Sequence, residues 1–149
     1  MKTIEILIGI PCSGKSIYAS KECNFNTVII SRDNIRECHF EQPYKFSKEN
    51  EDKISEIFNV KVINNFWRKE ITKIILDNTH CKEKYIDEII RKYPNCYIKI
   101  KYFEISLFKA HIRNIIRYFK TDKWIPLKIM NQMHKNYKQI DKTKYEKYR

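Results

Sequence analysis

Only two of the 149 residues are glycine, and both stand in one short stretch, Gly9-Ile10-Pro11-Cys12-Ser13-Gly14-Lys15-Ser16. Glycine takes backbone angles closed to other residues and lets a ligand come close to the main chain. The spacing G-x-x-x-x-G-K-[ST] suits a loop whose backbone N–H groups cradle phosphates. Lys15 would reach the outer phosphates, and the Ser16 hydroxyl would ligate Mg²⁺. On this reading Gly9, Ile10, Pro11, Cys12, Ser13, Gly14, Lys15, Ser16 and the following Ile17 line a nucleotide's phosphates. The bland alternative is a tight turn between a strand and a helix. The flanks argue for phosphates. Thr3 to Ile8 (TIEILI) is β-branched and apolar, as a buried strand requires,. Lys15 to Cys23 can continue as a helix whose N-terminus faces the anion.

Phosphoryl transfer also needs a base for the attacking hydroxyl and cations for the developing charge. Asp33, in Ser31-Arg32-Asp33-Asn34-Ile35-Arg36, follows a second apolar run, Thr27 to Ile30. It suits either a general base or a helix N-cap. Arg36, three residues on, could hold a phosphate of the acceptor, because its planar fork suits such groups. Asp77 ends a third apolar run, Ile71 to Leu76. Arg113 and Arg117 are four apart and share a helix face. They suit a cover over nucleotide phosphates or, more plainly, a solvated basic stripe.

The elements that must position these residues alternate along the chain. Strands are expected at 3–8, 27–30, 71–76 and 97–105, the last an alternating run, YIKIKYFEI. Helical spacing appears over 48–69, 82–93, 106–119 and 126–140, with Ser106 and Pro126 as starts and Pro94 as a stop. Strands separated by helices imply a parallel sheet in an α/β fold. In such sheets ligands bind at the carboxyl ends of the strands. Asp33, Asp77 and the glycine loop each follow a strand, so one crevice could gather all three.

Length favours one domain over residues 1–149. No apolar run is long enough to span a membrane. The chain enters a strand at once, so no signal peptide is expected. The five cysteines include no C-x-x-C pair and read as reduced thiols of an intracellular, cytoplasmic protein,. The four histidines fit no zinc spacing. The net charge is +12, and it is uneven: residues 106–149 hold twelve of the 30 Lys and Arg but only Asp122, Asp141 and Glu146 among the acids. A basic C-terminal third suits a polyanionic partner. Tyr118, Phe119 and Trp124 there could stack on bases, although packing into core and lid is the commoner use.

In this order and at these distances, GIPCSGKS, SRDNIR, ILDNTH and HIRNIIR followed by a Pro-started helix resemble the phage-type polynucleotide 5′-kinases over about residues 3–140. The resemblance implies a P-loop kinase fold: about four parallel strands flanked by helices, a C-terminal helical lid near 106–126 and a short basic tail at 141–149. It implies transfer of the ATP γ-phosphate to a 5′-OH end of DNA or RNA, with Mg²⁺. Lys15 and Arg117 would then stabilise the transferring phosphate, and Asp33 would activate the hydroxyl. Arg36 would hold the phosphate on the 3′ side of the acceptor, with Thr79 as a further acceptor contact. Asp77 would orient the lid arginine, and Arg113 would serve the donor. A viral or phage-encoded source is left open.

Several positions depart from the pattern. Ile17 stands where the family often has Thr, and Asn78-Thr79-His80 where Thr-Asn order is more frequent. No DxDGT-like segment is present, so no 3′-phosphatase activity is expected. Two other readings share the cradle. One is a P-loop kinase of a metabolite, nucleoside or antibiotic; the other is a non-catalytic nucleotide-binding module.

Overall fold

The computed structural model describes all residues, 1–149. Its centre is a four-stranded parallel sheet of β1 (Thr3–Ile8), β2 (Thr27–Ile30), β3 (Lys73–Asp77) and β4 (Tyr97–Tyr102), in the order β2-β3-β1-β4. β1 pairs with both β3 and β4, which explains its nearly unbroken apolar run,. β4 lies at an edge and alternates, burying Ile98 and Ile100. The third and fourth strands are shorter than the sequence pattern suggested. Residues 71–72 and 103–105 lie beyond the paired ends of β1, where the Thr72 carbonyl still accepts from the Thr3 N–H and the Phe103 N–H still donates to the Ile8 carbonyl.

Helices α1 (Lys15–Glu22), α2 (Arg32–His39), α3 (Lys48–Trp67), α4 (Glu83–Lys92), α5 (Leu107–Thr121) and α6 (Leu127–Lys138) fill the intervals. On one face of the sheet Ile4, Ile6, Ile8, Ile74 and Leu76 form a continuous core with Val62 of α3, Ile86 of α4, Ala110 of α5 and Met130 of α6. On the other, α1 packs Ala19 and Tyr18 against Leu7 and Ile75.

That second face contains a buried charge which the apolar reading of TIEILI passed over. Glu5 is fully buried. Lys73 of β3 lies 2.7 Å away, Lys99 of β4 lies 3.6 Å away, and the Tyr18 hydroxyl donates to it at 2.7 Å. Lys73 also reaches Glu22 at the end of α1. A buried carboxylate is tolerable only when paired in this way. The network ties the helix after the glycine loop to three strands.

The last residues are folded. Lys142–Tyr148 form a 3₁₀ helix beside β4. Tyr145 is 1% exposed and joins the main core, and its hydroxyl donates to Asp87 of α4 at 2.7 Å. Lys144 pairs with Asp87 and Glu83. Lys142 pairs with Glu104, so two of the segment's lysines are matched by acids outside it. Tyr145→Ala should lower the unfolding free energy by about 3–5 kcal/mol, the usual cost of deleting a buried aromatic ring. Equilibrium denaturation in urea would measure it, and a free tail would give a loss near zero.

Candidate active site

The stretch 9–14 leaves β1 between β3 and β4, and its two glycines serve different needs. A Cβ on Gly9 would lie 2.8 Å from the Phe103 carbonyl oxygen and 2.8 Å from Ser13 Oγ. No side chain fits where the three chains converge. Gly14 has open space around its Cα but φ of +100°, so the constraint there is conformational,. Cys12, with φ of +63°, adopts the left-handed region without being glycine.

Lys15 begins α1 and is buried. Its Nζ donates to the carbonyls of Gly9 (2.9 Å) and Ile10 (2.8 Å) and to Ser13 Oγ (3.3 Å). Burial pushes its pKa down, opposed by the charges of Asp77 and Asp33. Asp77, the last residue of β3, is in register with Leu7 of β1, two residues before Gly9. Burial raises its carboxyl above the ordinary range, while the Ser16 hydroxyl and the Lys15 ammonium hold it down. Asp33 is felt electrostatically at both Lys15 and Asp77. Lys15, Ser16, Asp77 and Asp33 therefore share one neighbourhood at the carboxyl end of the sheet.

Asp33 lies inside the first turn of α2, which changes the cap reading. Ser31 is the N-cap and accepts from the Asn34 N–H at 3.5 Å. Asp33 is the second residue of the helix, its side chain 70% exposed. The turn is pinned to the end of β3 by Asn78, whose Oδ1 accepts from the Arg32 N–H at 2.9 Å. Arg36 pairs with Asp33 at 2.7 Å. It also makes a fork to Glu51 of α3, Nε to Oε1 at 3.0 Å and Nη2 to Oε2 at 2.8 Å. Glu51 takes Arg32 (2.9 Å) and the Tyr44 hydroxyl (2.9 Å) as well. Against the cost of burial, these donors hold its pKa at about 2. Sequence reasoning missed Glu51, because nothing in the spacing links residue 36 to residue 51.

On the far side of the loop, Arg113 of α5 donates to the Cys12 carbonyl at 3.0 Å. Arg117 is half-buried one turn on and makes no ion pair. The structure brings Asp77 to Ser16 and Lys15 and forms no ion pair between Asp77 and Arg117. Between Arg113 and Arg117 along α5, Asn114 is fully buried. Its amide donates to the Ile125 carbonyl (2.8 Å) and accepts from the Ile125 N–H (3.3 Å), pairing both backbone groups of the α5–α6 connection. Asp122, in the left-handed region at φ of +55°, turns the chain there without glycine. Lys123 in the same connection forms an ion pair with Glu37 of α2. Tyr118 and Trp124 meet edge to face, and Phe119 is exposed, so none of the three enters the core.

Beside the loop a cleft of about 870 Å³ opens between Ser13, Lys109 and Arg113 on one side and His134, Lys138 and Lys142 on the other. Its lining includes four cations and one acid, Glu104, which pairs with Lys142. Thr79 is half-buried, and its carbonyl accepts from the Gly9 N–H at 3.1 Å. Ile17 is exposed at the start of α1. The five cysteines are free thiols. No helix is long and apolar enough to cross a membrane.

Residues 4–140 match a family model described as an AAA domain. Solved structures of the Pnkp1/Rnl/Hen1 RNA repair complex and of a Pnkp1/Rnl/Hen1 complex each contain a chain similar to this one at 26% identity. In the first, TM-score 0.77, the match covers 97% of this chain and 46% of that chain. In the second, TM-score 0.65, it covers 75% and 38%. The chain thus spans less than half the length of either. A gluconokinase from Sinorhizobium meliloti 1021 matches at 14% identity and TM-score 0.54, over 91% of this chain and 74% of that chain. No curated protein sequence matches. The fold is that of the P-loop kinases.

His80, next to this site, supplies a pH test. It is buried, its Nδ1–H donates to the Leu7 carbonyl at 3.0 Å, and burial lowers its pKa to about 4. The unfolded chain takes up this proton near pH 6.5 and the folded chain only near pH 4. Stability from this group is therefore full above pH 6.5 and falls as pH drops from 6.5 to 4, by up to about 3 kcal/mol. Unfolding free energies of wild type and His80→Gln across that range should differ in slope. Parallel profiles would contradict the neutral buried imidazole.

Proposed function

We propose that this chain, which belongs to the AAA-domain family, is an ATP-dependent polynucleotide 5′-hydroxyl kinase. One observation carries the reading. The Arg36 fork is locked by Glu51 and set against Asp33, whose charge is felt at Lys15 of the phosphate loop. A kinase of an uncharged metabolite has no need of a guanidinium fixed beside its base. An acceptor with a phosphate of its own does. The similarity to a chain of an RNA repair complex supports the same reading.

In this mechanism the loop 9–17 holds the donor phosphates, and Lys15 meets the β- and γ-phosphates. Ser16 and Asp77 offer adjacent hydroxyl and carboxylate oxygens, a donor set that suits Mg²⁺ shared with substrate phosphates,. When bound, the ion neutralises charge on the β- and γ-phosphates. Asp33 accepts the proton of the 5′-hydroxyl as its oxygen bonds to the γ-phosphorus. The bond from that phosphorus to the bridging oxygen breaks, and ADP leaves. Arg36 holds the phosphate on the 3′ side of the acceptor sugar, and Thr79 serves as a further acceptor contact.

The α5–α6 hairpin serves as a lid. Arg113, already on the loop, serves the donor, and Arg117 meets the transferring phosphate. Asn114 fixes the lid's turn, and Asp77 works with Ser16 rather than through Arg117.

The acceptor requirement tests this directly. Adenosine 3′-monophosphate should be phosphorylated and adenosine poorly or not at all. Arg36→Ala should raise KM for the nucleotide far more than KM for ATP. Comparable rates on both acceptors would indicate a small-molecule kinase. Asp33→Asn should reduce kcat by about 10²–10⁴-fold, the usual loss when a general base is removed. ATP binding followed by calorimetry should persist. A near-native rate would leave Asp33 without a catalytic role.

A further inference from the structure

The loop 40–47, between α2 and α3, carries three aromatic rings beside Arg36. Phe40 and Tyr44 meet edge to face at 5.5 Å between centroids, and Tyr44 and Phe46 at 4.8 Å. Tyr44 is anchored, since its hydroxyl donates to Glu51, the same carboxylate that grips Arg36. Gln42 donates to the carbonyls of Arg36 and Phe40, which folds the loop back onto α2. Phe46, last in the row, is 76% exposed. The Arg36 guanidinium carbon lies 5.4 Å from the Phe46 centroid and 5.6 Å from that of Tyr44.

None of the three rings belongs to either hydrophobic cluster of the fold. Phe46 is therefore an exposed ring held in place by an anchored neighbour and by a cation. That cation is the one set against Asp33 at 2.7 Å. Proton acceptor, guanidinium and open ring follow one another over distances short against the length of a nucleotide. A ligand that satisfies all three has a hydroxyl, a phosphate and a flat, weakly hydrated π-system. A bare sugar phosphate satisfies two.

We infer that loop 40–47 is a stacking platform for the nucleobase of the acceptor, with Phe46 as its ring and Arg36 as the adjoining phosphate contact. The inference rests on the polynucleotide kinase reading and narrows it to acceptors that carry a base. Every base has a π-face, so the platform would tolerate any of the four. Tyr44 and Glu51 are positioning residues, which hold ring and guanidinium in one frame.

The test compares two acceptors, adenosine 3′-monophosphate and the abasic ribose 3-phosphate, with ATP and Mg²⁺. Wild type should favour the nucleotide in kcat/KM by about ten- to a hundred-fold, the range for stacking one base on an aromatic ring. Phe46→Ala should bring this ratio towards one. Phe46→Tyr should preserve it, and Phe46→Leu, which keeps apolar volume without a π-face, should not. A preference that survives in Phe46→Ala or Phe46→Leu overturns the platform. Equal wild-type rates on the two acceptors overturn the platform and leave the kinase reading standing. If wild type phosphorylates neither, the kinase reading fails, and the platform fails with it.

Discussion

No side chain can be accommodated at Gly9. There the end of β1 comes within van der Waals contact of the backbone after β4, and its N–H is taken by the Thr79 carbonyl after β3. This close approach of three strand ends fixes where the phosphate loop rises and what surrounds it. It sets Lys15 beside the Asp77 carboxylate on the β3 side. It also brings Arg113 of α5 onto the Cys12 carbonyl on the β4 side. Glu5, four residues earlier in the middle of β1, locks α1 to β3 and β4 through Lys73, Lys99 and Tyr18. The helix that carries Lys15 and Ser16 is thus held at the loop and again at the middle of the strand that precedes it.

The acceptor side is organised by a different residue and in a different way. Glu51 gathers Arg32, Arg36 and Tyr44 from two segments of the chain onto one carboxylate. Breaking one member of such a network leaves charge uncompensated, so its parts act as a unit. Asn78 adds a link from the end of β3 to the first turn of α2. The proposed base, the proposed phosphate contact and the aromatic loop are therefore carried by one frame. That frame is tied to the same strand end that carries Asp77.

The phosphate loop, the four strands and most helices were legible in the sequence because their signals are local. Glycine spacing, β-branched runs and helical periodicity each operate within a dozen residues. Asp33 and Arg36 were also legible, three apart in one short motif. What held them was not. Glu51 lies fifteen residues further on, across an irregular loop, and only the packing of α3 on α2 brings it back. Asn114 stood in plain view between Arg113 and Arg117, yet its partner is the backbone of Ile125, which no side-chain pattern marks. The final segment read as a basic tail because its lysines outnumber its acids. The acids that match Lys142 and Lys144 are Glu104 and, on α4, Glu83 and Asp87, and the apolar signal was Tyr145 and Tyr148 alone.

The central claim is the chemistry at the crevice: a phosphoryl group moves from ATP to the 5′-hydroxyl of a nucleic acid end. It is tested most directly by incubating the protein with γ-labelled ATP, Mg²⁺ and a mixture of a 5′-OH oligoribonucleotide, a 5′-OH oligodeoxyribonucleotide and gluconate, then digesting the products to locate the label. The account predicts label in a 5′-terminal phosphate of at least one oligonucleotide and none in gluconate. Label in gluconate, or none at any 5′ end, would contradict it.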